Sequence, residues 1–176
     1  DGGSDDEVTL NRNTEAFNDC DLVPSILNSV GEPDLSTKVF GTNINMPLFL
    51  SPTAMQSLYH PDGDKASARA AEKFGTIYSM STMASFSIEE ISSISNGPKI
   101  FQLYIHKDQS ITDDLIDRCK QNNFNGMCIT VDTIVAGNRE RDHRTGFTTP
   151  PKFTLESIMS FAMRPKWVFD YFTNKK

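Results

Sequence analysis

No stretch of this 176-residue chain approaches the ~20 apolar residues needed to cross a bilayer. No charged-then-apolar leader opens it either, which reads as a soluble or at most peripheral protein. Cysteine is scarce: Cys20, Cys119 and Cys128 form no C-x-x-C pair, which excludes a disulfide framework and a cysteine zinc site. They read as reduced thiols of a cytoplasmic protein. His60, His106 and His143 lie far apart, so no metal site is expected. Positive charge is in deficit, with 17 Lys and Arg against 23 Asp and Glu and a net charge of −6. Such a surface repels phosphate backbones, so no nucleic-acid partner is expected. An initiator methionine is missing before Asp1, and the chain stops at "FTNKK". Both ends read as cut, so the expectation is a piece of something longer.

What is present suffices for a core, with 38% hydrophobic residues. Ser4, with Glu7 three residues on, resembles a capping box opening a helix from about 5 to 17. Residues 20–46 are irregular, broken by Pro24 and Pro33, with a short hairpin in "STKVFGTNINMP". A regular pattern follows. "MPLFLSP", "TIYSM", "KIFQLYI" and "GMCITVD" are short apolar runs that predict buried strands starting near 47, 76, 99 and 127. Between them, "DGDKASARAAEKFG" predicts a helix stopped by Gly75, and "SIEEISSIS" a helix capped by Ser87 and Glu90. "SITDDLIDRCKQNN" predicts a third helix, apolar at Ile111, Leu115, Ile116 and Cys119.

A strand and a helix recurring about every 25 to 30 residues signal βαβ units on a parallel sheet. A doubly wound open sheet and half of a TIM (β/α)8 barrel both satisfy that pattern. No G-x-G-x-x-G follows the first strand, which argues against a dinucleotide-binding half. A whole barrel takes about 250 residues, so four units make half of one.

Parallel α/β proteins carry function at the C-terminal ends of their strands. Those ends hold Pro52, Thr53 and Ala54; Ser81; Gln102 and Tyr104; and Thr130 and Asp132, followed by "GNRERDHR". Ser, Thr and Asn commonly do no more than cap helices and shape turns. Gln102 and Tyr104 are harder to treat so, because they alternate with Phe101 and Leu103 and face one side of an apolar strand together. A buried Gln needs partners for its donors and acceptor, which a polar ligand ring would supply. Arg139 belongs to a charged surface or grips a carboxylate bidentately.

Four stretches, "GGSDDEVTLNRN", "MPLFLSPTAMQSLYHPDGDKASARAAEKFGTIYSMST", "FQLYIHKD" and "ITVDTIVAGNRERDHRTGF", resemble in order the FMN-dependent L-2-hydroxy-acid dehydrogenase/oxidase family. That family includes glycolate oxidase, L-lactate dehydrogenase and mandelate dehydrogenase. The tail "PPKFTLESIMSFAMRPKWVFDYF" is most similar to the lactate and mandelate dehydrogenases. The resemblance implies an α/β fold, the N-terminal half of a TIM barrel. Residues 1–46 would be an N-terminal helix and cap segment, 47–146 the first four βα units, and 147–176 the start of an insertion after strand four. It implies FMN as cofactor, with Pro52, Thr53 and Ala54 against the ring, Ser81 bonded to it, and Gln102 and Thr130 at its polar edge. Tyr104 would hydrogen-bond the substrate, Arg139 would bind its carboxylate, and Asp132 would be structural.

The implied reaction is oxidation of an L-2-hydroxy acid, L-lactate foremost, to the 2-keto acid. Electrons would pass to a quinone or cytochrome, in a protein that is a homo-oligomer when intact. Glycolate oxidase-like members carry a tryptophan where Met83 stands. The family's histidine base, in an "HGG" motif, its second substrate arginine, a lysine near the flavin and the phosphate loops all lie downstream of this chain. The family's N-terminal substrate tyrosine would fall just before Asp1, and His106 does not match the base. Thr154 would cap a short helix that Pro165 ends. The aromatic tail, flanked by Arg164, Lys166, Lys175 and Lys176, is either a loop over the barrel or a peripheral contact with the inner face of the cell membrane. Two other readings stay open: a non-catalytic truncated half-barrel, and a different flavin- or phosphate-binding barrel enzyme.

Overall fold

The structure, a computed structural model, describes residues 2–27, 31–146 and 154–173. Contacts divide the chain into two compact units. One comprises residues 1–31 with 133–172, the other 32–132 with 173–176.

The first helix, α1, spans Val8–Glu15 and continues as a 3-10 turn over Ala16–Asp19. It starts later than the capping-box pattern predicts, and Ser4 is not its cap. Glu7 stands at the N-cap in a left-handed conformation (φ 58°), and its side chain makes no capping bond to the helix. The Glu7 carboxylate instead accepts from Gly3 N–H at 2.9 Å.

In the second unit, β1 (Thr37–Val39) and β2 (Thr42–Ile44) form the expected hairpin. Its two-residue turn puts both Phe40 (φ 49°) and Gly41 (φ 76°) at positive φ, the geometry that matches strand twist. The strand expected from residue 47 shrinks to one parallel bridge, Leu50 to Tyr78. Pro47 and Pro52 bracket it, and neither has an N–H to give a ladder.

Helix α2 (Gly63–Lys73) then closes on Gly75, whose φ of 64° suits the residue after a helix end. Strand β3 covers Tyr78–Ser81. Helix α3 (Ile88–Ile94) opens with the predicted capping box: Glu90 N–H donates to Ser87 Oγ, and Ser87 N–H to the Glu90 carboxylate. Strand β4 (Lys99–Tyr104), helix α4 (Gln109–Gln121) and strand β5 (Gly126–Thr130) complete the βα series. The sheet order is β3-β4-β5, all parallel.

Helix α4 buries a stripe one residue off the expected one. Ile111 is exposed, whereas Thr112 is buried and its Oγ1 accepts from His106 N–H at 3.1 Å. That bond anchors the loop leaving β4. Leu115, Ile116 and Cys119 face inward as read.

The two sheet faces differ in chemistry. Tyr78, Met80, Phe101 and Leu103 face the helices and pack on Ala68, Ala71, Ile88, Ile91 and Cys119. Phe101 meets Phe124 edge-on at 6.2 Å. On the other face, Ile77 and Ile100 join Ile44 of the hairpin in a second cluster. Burial pushes the Cys119 thiol up to about 12.

The other unit adds α5 (Glu140–Thr145), α6 (Leu155–Ala162) and α7 (Pro165–Thr173). Thr154 caps α6 reciprocally with Ser157. Pro165 opens α7 as well as following α6, because a first helical position needs no N–H. Trp167 stacks between Phe161 and Tyr171 at 5.4 and 5.3 Å. Among the described residues no helix is long and apolar enough to cross a membrane.

Replacing Phe101 by alanine removes a side chain only 1% exposed and should cost about 3–5 kcal/mol. Ser87→Ala, losing one cap on an exposed helix end, should cost about 1 kcal/mol. Urea unfolding curves measure both. Cys119 should react with a thiol reagent only on unfolding, whereas exposed Cys20 should react in the native protein.

Candidate functional site

Alternation along parallel strands sends Ser79 and Ser81 of β3, Gln102 and Tyr104 of β4, and Cys128 and Thr130 of β5 to the face opposite the helices. Register then makes neighbours of residues far apart in sequence. Ser81 pairs with Gln102, Gln102 with Cys128, and Tyr104 with Thr130.

Gln102 is 6% exposed, and its amide spans all three strands. Its Nε2 donates to Thr130 Oγ1 at 2.7 Å. Its Oε1 accepts from Ser81 Oγ at 3.4 Å and from Thr82 N–H at 3.2 Å. A ligand is therefore not what satisfies most of this amide, contrary to the expectation from sequence; its neighbours do. Among the described residues, one Nε2 hydrogen and the Thr130 hydroxyl hydrogen meet no acceptor. Thr82 extends the pairing beyond the end of β3: its hydroxyl donates to Gln102 O and accepts from Tyr104 N–H. Tyr104 itself is half-buried, two residues beyond Gln102 on the same face.

The loop carrying Pro52, Thr53 and Ala54 follows the Leu50 bridge and is braced on the turn after β3. Met55 N–H donates to Met83 O at 2.9 Å, and Ser57 N–H to Ser85 Oγ at 3.0 Å. Gln56 Nε2 reaches back to Thr53 O at 3.4 Å while its Oε1 accepts from Ser67 Oγ at 2.6 Å. Pro52 and Thr53 are exposed and Ala54 half-buried. The backbone N–H groups of Thr53 and Ala54 meet no acceptor among the described residues.

Behind this loop stands Asp64, completely buried in the first turn of α2. It accepts from Tyr78 Oη at 2.9 Å and from Ser85 N–H at 2.9 Å. Burial first, and then the neighbouring Asp64 carboxylate, hold the Tyr78 hydroxyl far above the usual phenol range, so it stays a donor. Sequence reasoning gave no role to Asp64, Thr82 and Ser85. Asp64 left a signal: it shares a helix face with Ala68 and Ala71 at i+4 and i+7, a charge in a buried stripe. Acidic residues are common in a first helical turn, which disguised it.

Arg139 falls in the other unit, exposed, at the N-cap of α5. Asp132 follows β5 and is exposed. His106 is half-buried, and its Nδ1 is buried with no partner among the described residues. Among the described residues no cluster of His, Cys, Asp and Glu could hold a metal ion.

The FMN-dependent dehydrogenase pattern matches residues 1–176. The chain belongs to that family. Among curated relatives, glycolate oxidase 1 of Zea mays is 43% identical over 156 residues, covering 89% of this chain and 42% of the relative. The spinach glycolate oxidase (Spinacia oleracea) is 40% identical over the same shares. Among solved structures, the monotopic membrane protein (S)-mandelate dehydrogenase superposes with a TM-score of 0.92 at 29% identity, over 100% of this chain and 47% of that one. A Pediococcus acidilactici protein described as a lactate oxidase superposes with a TM-score of 0.79 at 36% identity, over 92% and 45%. The chain thus spans less than half the length of the relatives it matches, and its parallel strands are part of a TIM barrel. FMN is the cofactor of this family.

The donor set fits such a group. A flavin presents an edge of alternating carbonyl and ring nitrogen atoms. The Gln102 and Thr130 hydrogens and the Thr53 and Ala54 N–H groups, which meet no acceptor among the described residues, are donors of the kind such an edge takes.

Asp64→Ala should cost about 3 kcal/mol, because it strands two buried donors, Tyr78 Oη and Ser85 N–H. Urea unfolding of the Asp64→Ala and Tyr78→Phe proteins tests this. Tyr78→Phe, which leaves the buried Asp64 Oδ1 without that donor, should cost about 2 kcal/mol.

Proposed function

We propose that the protein containing this chain oxidises an L-2-hydroxy acid to the 2-keto acid. The observation that carries the reading is the Ser81–Gln102–Thr130 relay at the strand ends, with donors that meet no acceptor among the described residues and would suit a flavin edge. Bound FMN would supply a two-electron acceptor. Pro52, Thr53 and Ala54 would lie against its ring. Ser81, Gln102 and Thr130 would hold its polar rim, their orientation already determined by mutual hydrogen bonds. Tyr104 would hydrogen-bond the substrate. Arg139 would bind the substrate carboxylate through its planar guanidinium and so orient the reacting carbon.

L-lactate is the substrate we favour, in keeping with the 36% identity to the Pediococcus acidilactici protein. Residues 47–146 would supply the first four βα units, 1–46 the N-terminal helix and cap, and 147–176 the start of an insertion. Electrons would leave to a quinone or cytochrome. We place the protein in the cytoplasm, as a homo-oligomer, with a peripheral membrane contact through the exposed Leu155, Met159, Met163, Phe169 and Phe172. The membrane origin of the mandelate dehydrogenase neighbour supports that contact.

Anaerobic addition of L-lactate to the full-length FMN-loaded protein should bleach the oxidised flavin band, faster than glycolate or mandelate does. No bleaching by any of the three acids overturns the reading, and a faster response to another acid overturns lactate alone. Arg139→Ala should raise KM for the acid by about 100-fold with FMN content unchanged. Gln102→Leu should weaken FMN binding by about 10-fold, read by flavin fluorescence titration.

A further inference from the structure

The segment before α1 is seated on the loop that carries Arg139, and every contact lies within one unit. Gly2 N–H donates to Asp142 Oδ1 at 2.7 Å. Asp5 N–H donates to Asn138 O at 2.8 Å, and Asn138 Nδ2 returns a bond to Asp5 Oδ1 at 3.0 Å. Arg141 Nε meets Glu7 Oε1 at 3.0 Å, and the same oxygen accepts from Gly3 N–H. Residues 138, 141 and 142 are thus tied down on both sides of Arg139.

The seam is also close and strained. A Cβ on Gly137 would come within 2.7 Å of Ser4 Oγ, and one on Gly2 within 2.9 Å of Arg141 Cβ. Asp5 (φ 48°) and Glu7 (φ 58°) both occupy the left-handed region without being glycine. Such conformations persist where surrounding contacts over-determine them, and they concentrate at functional sites.

We propose that residues 2–7 form a clamp that holds Arg139 in place for the substrate carboxylate, with Asp5 and Glu7 as its positioning residues. The proposal rests on the reading of Arg139 given above. Asp5 sets the residue before Arg139 through a two-bond pair with Asn138. Glu7 sets the first turn of α5 through Arg141, while Asp142 takes the Gly2 amide. None of these groups needs to touch the substrate. They restrict the backbone from which the guanidinium reaches, and a misplacement of about 1 Å there is enough to lower carboxylate-dependent turnover.

The test uses the full-length FMN-loaded protein. Glu7→Ala and Asp5→Ala should each raise KM for the 2-hydroxy acid by about 10-fold, with FMN content and thermal midpoint nearly unchanged. Arg141→Glu should act alike, and the Glu7→Arg/Arg141→Glu pair should return KM to within about 2-fold of the parent, since the ion pair is restored in reverse. In an Arg139→Lys background, Glu7→Ala should add almost nothing, because both changes act on one group. A KM unmoved by Glu7→Ala and Asp5→Ala, while Arg139→Ala raises it, overturns the clamp and leaves the Arg139 reading standing. Equal loss of FMN content and kcat in Glu7→Ala, with no rescue by the reversed pair, also overturns it, as a merely structural role. A KM unmoved by Arg139→Ala removes the Arg139 reading itself.

Discussion

A primary amide inside an apolar parallel sheet has to be hydrogen-bonded or it costs the sheet stability. Gln102 meets that requirement by joining three strands at once, accepting from Ser81 and Thr82 and donating to Thr130. Because Oε1 is occupied on the β3 side, Nε2 has to point toward β5. The amide cannot flip without exchanging an acceptor for a donor at both ends. A polar edge is thereby held in one orientation by the protein's own hydrogen bonds, and electrostatic recognition works best when dipoles need no rearrangement on binding.

The surrounding fold packs the strands that carry that edge on both faces. One face of the sheet is closed by helices through Phe101, Ile91 and Ala68, all at most 1% exposed. The other face is closed at its lower end by Ile44 of the hairpin against Ile77 and Ile100. Asp64 adds a buried hydrogen-bonding strut from α2 to the turn after β3, joining Tyr78 and Ser85. That turn braces the Pro52–Ala54 loop through Met83 and Ser85. Loop, relay and strand ends therefore share one hydrogen-bonded scaffold.

In the other unit the same logic uses strain in place of burial. Left-handed Asp5 and Glu7, and glycines with no room for a Cβ, bring the chain before α1 against the Arg139 loop. Local preference alone opposes that path, and the seam's hydrogen bonds and ion pair overcome it.

The periodic parts of this architecture were legible in the sequence because their causes are local. Apolar runs of strand length, the Ser87–Glu90 capping box, the Gly75 stop and the hairpin in residues 36–47 each act within a few residues. The same alternation put Gln102 and Tyr104 on one face, opposite Phe101 and Leu103. Register and tertiary satisfaction were not legible. Periodicity cannot say that Gln102 lies beside Cys128 and reaches Thr130, because that depends on where one strand stops relative to another. It cannot say that Thr112 displaces Ile111 from the buried stripe, since the cause is a backbone N–H six residues away. Nor does a capping pattern reveal that Glu7 turns away from its own helix toward Arg141, more than a hundred residues along the chain. Sequence determined the order of the βα units from α2 to β5 and the chemistry available at their ends. Tertiary structure alone decided which polar atoms satisfy one another, because a buried hydrogen bond is won by whichever partner packing brings within reach.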